Sequence, residues 1–185
     1  LKNYAEKRGY TAELLFTNDN KQTEYHMIQW AKSVMALGVA VITCLSEKEA
    51  KEAYTGFKKV CYVERKGAAG SDYIGFDYEV AGNEIAAAVA DNGYHNALII
   101  TDSLKFSNES EFCRGLCTAF GEKKIKFDHI ITDSRRVSHS IINTLVQGKE
   151  YDAMITTNIR FAEKTRNVVE NFAPEYKVPI YTLSS

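Results

Sequence analysis

The sequence is short of three features that would each define a class of protein. It has only 2 Pro among 185 residues, so Pro-rich disorder is excluded. Its formal net charge is -1, so it has no basic field that would hold a nucleic-acid backbone. Its uncharged stretches fall far short of the ~20 residues that span a bilayer, and no signal-peptide pattern is present. These absences predict a soluble, cytoplasmic, globular chain.

The sequence also lacks the short motifs of several enzyme classes. It contains no phosphate-binding P-loop, no G-x-G-x-x-G turn after a strand and no G-x-S-x-G nucleophile elbow. Its 4 Cys include no C-x-x-C pair, and no His lies at zinc-ligand spacing from Cys113 or Cys117. We interpret the cysteines as small buried hydrophobic residues, with a redox pair or a metal site as alternatives. The sequence predicts no catalytic residue, no metal and no cofactor.

What the sequence does contain is a regular alternation of helix-like and strand-like segments. This order is typical of βαβ units and predicts an α/β fold with mainly parallel sheets. The apolar run at residues 39–43 indicates a strand buried on both faces, and a long helix is predicted at residues 21–37. The predicted strands are residues 12–17, 39–43, 60–63, 73–77, 97–101, 127–132, 153–157 and 179–183.

Polar residues follow the predicted strands, at the edge where such sheets bind ligands. Their hydrogen-bonding types suit a neutral polyhydroxylated ligand, although each could instead cap the helix that follows. These residues are Asn18, Asp19, Thr43, Glu64, Arg65, Asp77, Asp102, Ser103, Asp133, Ser134, Thr157, Asn158 and Ser184.

Two segments carry a resemblance to a known family. Residues 73–82, YIGFDYEVAG, and residues 92–100, NGYHNALII, resemble the central segment of LacI/GalR-type transcriptional regulators. In that family a V-G-x-D-N-x-x-A-G run leads through a helix to a G-H-x-x-I-x-x-I strand. Weaker matches extend the resemblance over nearly the whole chain: Arg8-Gly9-Tyr10, Val63-Glu64-Arg65 for I-D-R, Gly115-Leu116, and Thr157-Asn158 for the A-N-D turn.

The resemblance implies a two-lobed, periplasmic-binding-protein-like (type I) fold, with each lobe a mainly parallel sheet flanked by helices. Residues 1–78 would form the N-terminal lobe and residues 79–185 the C-terminal lobe. The chain would then lack pieces of the family's fold at both ends.

The function implied is the effector-binding and dimerisation domain of a LacI-type regulator, without catalysis. A sugar or related metabolite would bind in the cleft between the lobes, and operator DNA would be bound by a helix-turn-helix segment preceding Leu1. We expect a homodimer that uses the Trp30 and Met35 region, with the helix at residues 159–172 as the second candidate.

Three positions depart from the family pattern. Phe112 stands where the family usually has a sugar-clamping Arg, although Arg114 lies nearby and joins the predicted cleft residues. Ile159 and Ser184 stand where the family has Asp. We therefore expect either a less polar effector or regulation through a partner protein.

Two other functions stay open at this stage. One is the solute-binding protein of a sugar ABC transporter, which shares the fold. The other is a small α/β enzyme that uses Asp77, Asp102 or Asp133 at its strand ends.

Overall fold

The computed structural model describes residues 2–183, which form two compact units that join between Ile74 and Gly75. Each unit contains a parallel sheet and helices, so the predicted α/β class is confirmed. The division into lobes at residue 78 stays a prediction. Within residues 2–183, no helix combines the length and the apolar character needed to cross a membrane.

Unit 1 contains three helices and three strands among its described residues. In chain order they are α1 (Lys2–Glu6), α2 (Lys21–Ser33), β1 (Gly38–Val41), α3 (Glu47–Ala53), β2 (Lys59–Val63) and β3 (Asp72–Ile74). The strands pair in parallel in the order β1-β2-β3. Its small core contains Ile28, Leu45, Ala50, Tyr54 and Tyr62.

The first predicted strand, residues 12–17, does not form. Residues 11–16 have no regular secondary structure, and Leu14 and Phe16 are exposed. The apolar, β-branched and aromatic character of this stretch is compatible with a strand, but a strand also needs a neighbour to complete its hydrogen bonds.

Strand β1 is also less buried than its apolar run predicts. Its outer side pairs with no strand of the described chain, since β2 is its one neighbour in the sheet. Ala40 and Ile42 are exposed, and burial alternates along the strand. The prediction of a strand buried on both faces is therefore wrong for β1.

Helix α2 ends four residues before the predicted end at Leu37. The Ala36 N–H donates to the Ala31 carbonyl and the Met35 N–H to the Lys32 carbonyl, both at 3.0 Å. This is the Schellman arrangement, which requires a left-handed residue just past the cap and usually uses Gly there. Met35 occupies that position with φ 53°.

Unit 2 has the fuller architecture. Its elements are α4 (Tyr78–Asp91), β4 (Asn96–Thr101), α5 (Ser107–Lys123), β5 (Lys126–Ile131), α6 (Val137–Val146), β6 (Ala153–Thr156), α7 (Ile159–Phe172) and β7 (Ile180–Thr182). The parallel sheet has the order β5-β4-β6-β7. Alternate residues of β4 point to opposite cores. Ala97 and Ile99 pack with α4 and α5, whereas Leu98 and Ile100 pack with α6 and α7.

Helices α4 and α5 approach each other closely through two glycines. A Cβ atom at Gly115 would overlap the Glu79 carbonyl oxygen, and a Cβ at Gly82 would lie 2.7 Å from the Leu116 nitrogen and closer to the Phe112 carbonyl. The helices therefore meet backbone to backbone, and no side chain could fit at either glycine without moving them apart.

We expect Gly115→Ala to destabilise unit 2 by about 1–3 kcal/mol, since it overpacks this contact. Gly121→Ala is the matched control in the same helix, because no atom lies within 4 Å of its added Cβ. It should leave stability unchanged or raise it by about 0.5–1 kcal/mol. Urea unfolding followed by far-UV circular dichroism measures both, and equal effects of the two variants would contradict the close contact.

Candidate functional site

The carboxyl edge of the unit 1 sheet brings together three predicted site residues. Arg65 Nη1 donates to Asp19 Oδ1 at 2.5 Å and to the Thr43 carbonyl oxygen at 3.4 Å. The Arg65 side chain is 14% exposed, whereas that of Asp19 is 57% exposed. This edge therefore presents an open carboxylate beside a largely buried guanidinium.

Unusual backbone geometry places these side chains. Asn18, Asp19 and Glu64 all have positive φ, of 52°, 53° and 61°. Asn and Asp tolerate this left-handed region, but Glu has no such preference. The Glu64 turn directly follows β2 and sets the backbone direction from which Arg65 reaches Asp19. Backbone strain of this kind is concentrated at functional sites in proteins.

The hydroxyl of Thr43 points into unit 1 rather than toward this edge. It donates to the Glu24 carboxylate at 2.5 Å, and Tyr54 Oη and the Cys44 N–H also donate to that carboxylate, each at 2.8 Å. Glu24 is 1% exposed. Burial, followed by the hydrogen bond with Glu24, raises the pKa of Cys44 to about 12.

The Glu24 carboxylate links α2 to the segment that follows β1 and to Tyr54 directly after α3, so it fixes the position of Thr43. Charge-assisted hydrogen bonds to a buried group are worth about 1.5–3 kcal/mol each. No sequence motif predicts this cluster, because its partners lie 19–30 residues from Glu24.

We expect Glu24→Gln to lower the stability of unit 1 by about 1–3 kcal/mol, because a neutral amide accepts these bonds more weakly. Trp30 is the chain's single Trp and lies in α2, so its fluorescence during urea unfolding reports on unit 1. The exposed Glu52→Gln on α3 is the control and should stay within about 0.5 kcal/mol of the parent. A similarly small change for Glu24→Gln would contradict the structural role of the carboxylate.

Two predicted residues that precede helices of unit 2 have local partners. Asp77 Oδ1 accepts from the Val80 N–H at 3.1 Å, and Asn158 Oδ1 from the Phe161 N–H at 2.9 Å. Both side chains are thus N-caps, the alternative role considered for strand-end residues. A role for them in ligand binding stays a prediction.

The turn after β4 is held by carboxylates. The Asp102 carboxylate accepts from the Ser103 N–H at 2.6 Å, and the Asp102 N–H donates to Glu109 Oε2 at 3.1 Å. The Asp133 carboxylate, after β5, accepts from the backbone N–H groups of Arg135 and Arg136 and from the Arg136 side chain. These hydrogen bonds lower the pKa of Asp133.

The positions that depart from the family pattern are placed as follows. Phe112 is fully buried in the core beneath α4 and α5, whereas Ile159 is an exposed first residue of α7. Arg114 pairs with Glu79 at 2.5 Å on the surface of α4 and α5. Ser184 lies outside the described residues.

Two polar atoms at the carboxyl edge of the unit 2 sheet are buried and have no hydrogen-bond partner in the described chain. They are Asn108 Oδ1, in the first turn of α5, and Thr157 Oγ1, directly after β6. Buried polar groups are nearly always satisfied in native proteins. Thr157 is among the strand-end residues predicted from the sequence. Asn108 is not, because it follows no strand directly and matches no motif.

The two cavities that we describe lie elsewhere. One of about 380 Å³ is lined in unit 1 by residues that include Tyr54, Val60 and Asp72. The other, of about 520 Å³, lies in unit 2 between the end of α7 and the start of β7, beside Tyr176 and Pro179. Within residues 2–183, no group of three or more His, Cys, Asp or Glu is arranged to hold a metal ion.

Comparison with known proteins reveals similarity at the level of structure. No protein-family model and no curated protein matches the sequence. The chain is similar over its whole length to 71% of the Cra transcriptional dual regulator of Pseudomonas putida in complex with fructose 1-phosphate, at 16% identity and a TM-score of 0.87. The chain has a periplasmic-binding-protein-like fold.

Two further solved structures support this fold. The transcription regulator CcpA of Lactococcus lactis matches 99% of this chain and 70% of its own, at 16% identity and a TM-score of 0.84. A periplasmic binding protein/LacI transcriptional regulator of Alkaliphilus metalliredigens, complexed with D-xylulofuranose, matches 98% of this chain and 68% of its own, at 17% identity and a TM-score of 0.80. The expected fold is therefore confirmed.

Proposed function

We propose that this chain is the effector-binding module of a LacI-type transcriptional regulator and that it binds a small polyhydroxylated molecule. The observation that carries the proposal is the likeness of the whole chain to solved regulators at TM-scores of 0.80–0.87. These neighbours are regulators, which favours this function over that of a transporter's solute-binding protein. We propose no catalytic activity for the module.

The ligand class follows from the polar groups at the carboxyl edges of the sheets. Sugar hydroxyls both donate and accept, so they suit an open acceptor, Asp19, beside a buried donor, Arg65. In unit 2, Asn108 Oδ1 and Thr157 Oγ1 are buried without a partner in the described chain. A side-chain rotation that presents either oxygen to a ligand hydroxyl would remove the cost of leaving it unpaired. Two of the neighbours are complexes with a sugar phosphate and a ketose. We therefore propose a sugar or sugar phosphate as the effector.

A thermal-shift screen of the chain tests the proposal directly. The panel consists of sugars, sugar phosphates and nucleosides, and it includes fructose 1-phosphate, D-xylulose and inorganic phosphate. We expect at least one sugar or sugar phosphate to raise the midpoint of unfolding, because a ligand that binds only the folded state stabilises it. If no compound of the panel stabilises the chain, the effector-binding function is wrong.

Thr157→Val separates a ligand contact from a structural role. The substitution removes a buried hydroxyl without a partner while it keeps the shape of the side chain, so we expect unchanged or higher stability without ligand. Binding of the compound found by the screen should weaken about tenfold, and Arg65→Gln should weaken it about tenfold to a hundredfold.

The control for these variants is Lys149→Gln. Lys149 lies before β6 and forms an exposed ion pair with Asp128 of β5, which the substitution breaks. It removes a cation as Arg65→Gln does, yet it lies at the opposite end of the unit 2 sheet. Calorimetric titration should give the parent affinity for Lys149→Gln. Parent affinity for both Thr157→Val and Arg65→Gln would contradict the assignment of the two edges.

We further propose that the chain forms a homodimer through the end of α2. Trp30 is 39% exposed and Met35 85% exposed, and Val34 and Leu37 beside them are also exposed. Four neighbouring apolar side chains in water are typical of an interaction surface.

Met35→Asn tests the dimer without disturbing the fold. Asn adopts the left-handed conformation of residue 35 more readily than Met, so the Schellman motif is retained while an apolar side chain is lost from each copy. We expect the dimer dissociation constant to rise at least about tenfold in sedimentation equilibrium. Val146→Asn, at an equally exposed position on α6, should leave it unchanged; a monomeric parent chain would refute the dimer.

A further inference from the structure

A cluster of two thiols and an imidazole lies between α5 and β5, outside the groups discussed so far. Cys113 Sγ is 3.6 Å from Cys117 Sγ and 3.8 Å from His129 Nδ1. His129 Nε2 is 2.8 Å from the hydroxyl of Thr101, the last residue of β4. The four side chains form one connected chain of hydrogen bonds.

The rest of the chain places the two sulfur atoms in different environments. Cys113 is buried at 7% exposure, whereas Cys117 is half-buried and so within reach of a small solute. The hydrogen bond from the Cys113 thiol lowers the pKa of Cys117, while the same bond and burial raise the pKa of Cys113. Cys117 is therefore the more reactive thiol, because the thiolate is the nucleophile.

We propose that Cys113 and Cys117 are a redox-active pair that a hydroperoxide converts to a disulfide within α5. In the first step the Cys117 thiolate attacks the peroxide, whose O–O bond breaks; Cys117 becomes a sulfenic acid, and the alcohol or water leaves with the proton. In the second step the Cys113 sulfur attacks the Cys117 sulfur, the S–O bond breaks and water leaves. Two thiols and one hydroperoxide give one disulfide, one alcohol and one water.

His129 is placed to assist the second step. Its Nδ1 faces the Cys113 thiol, and the Thr101 hydroxyl holds the ring through Nε2. Once Cys117 is a sulfenic acid and no longer needs the hydrogen bond from Cys113, a neutral imidazole with its proton on Nε2 can accept the Cys113 proton as that sulfur attacks. The departing oxygen then takes a proton to leave as water.

Helix geometry makes the product readily reversible. Residues four apart on a helix have Cβ atoms about 5–6 Å apart, whereas a disulfide holds them at about 3.5–4.5 Å. Closing the bond therefore distorts the turn at residues 113–117, and strained disulfides are the ones that thiols reduce easily. Such a bond acts as a signal rather than as a permanent link.

Tryptic mapping of the oxidised chain gives a direct test, because Arg114 lies between the two cysteines. Trypsin releases residues 106–114, FSNESEFCR, and residues 115–123, GLCTAFGEK, which are joined only if the disulfide has formed. After treatment with hydrogen peroxide and alkylation in denaturant, we expect the joined pair from a monomer that has lost two hydrogens. Cys44 and Cys61 in the same digest should remain alkylated and serve as internal controls.

The variants assign the order of events. Cys113→Ser should leave Cys117 as a sulfenic acid that dimedone traps, whereas Cys117→Ser should leave Cys113 unmodified. His129→Gln should slow formation of the joined pair at least about tenfold, with far-UV circular dichroism as the check of folding. Separate, fully alkylated peptides from the parent chain in excess peroxide, or oxidation of Cys44 and Cys61 at the same rate, would overturn the proposal.

Discussion

The parallel direction of every strand pair is the constraint on which both units depend. Parallel neighbours cannot be joined by a tight turn, so each connection must cross one face of the sheet and each strand must end at the same edge. In unit 2 the crossings cover both faces, which is why Ile99 and Leu98 are both fully buried although they point in opposite directions. The strand-end edge is left open, and the polar residues collect there.

The same constraint explains which elements the sequence could predict. Strand β4 lies between two neighbours and below helices on both faces, so its apolar run matches its structure to within one residue at each end. Helix α7 begins and ends where its pattern predicts. Residues 12–17 and β1 have similarly apolar sequences, but their burial depends on neighbours that a local pattern does not reveal. The sequence predicts the end of α2 too late in the chain. Gly usually marks the left-handed position just past a helix cap, but here that position is Met35.

At the candidate site, the positions of polar residues can be predicted from the sequence more readily than their hydrogen-bond partners. Arg65 follows β2, as the rule that polar residues lie at strand ends predicts. Asp19 reaches the same edge although the strand expected before it does not form, and no local pattern predicts its pairing with Arg65 across 46 residues. Asp77 and Asn158 were expected at the edge, and their side chains cap the helices that begin beside them. Glu24 and Asn108 could not be found from sequence, because Glu24 acts through distant partners and Asn108 is notable only because its Oδ1 has no partner in the described chain.

The backbone contact between Gly82 and α5 couples the movements of α4 and α5. Side chains can accommodate a small movement by changing rotamer, but two backbones in direct contact cannot. Any distortion of the turn that contains Cys113 and Cys117 is therefore passed to α4, whose first turn is capped by Asp77. In this way α4 and α5 respond to such a distortion as one rigid pair of helices.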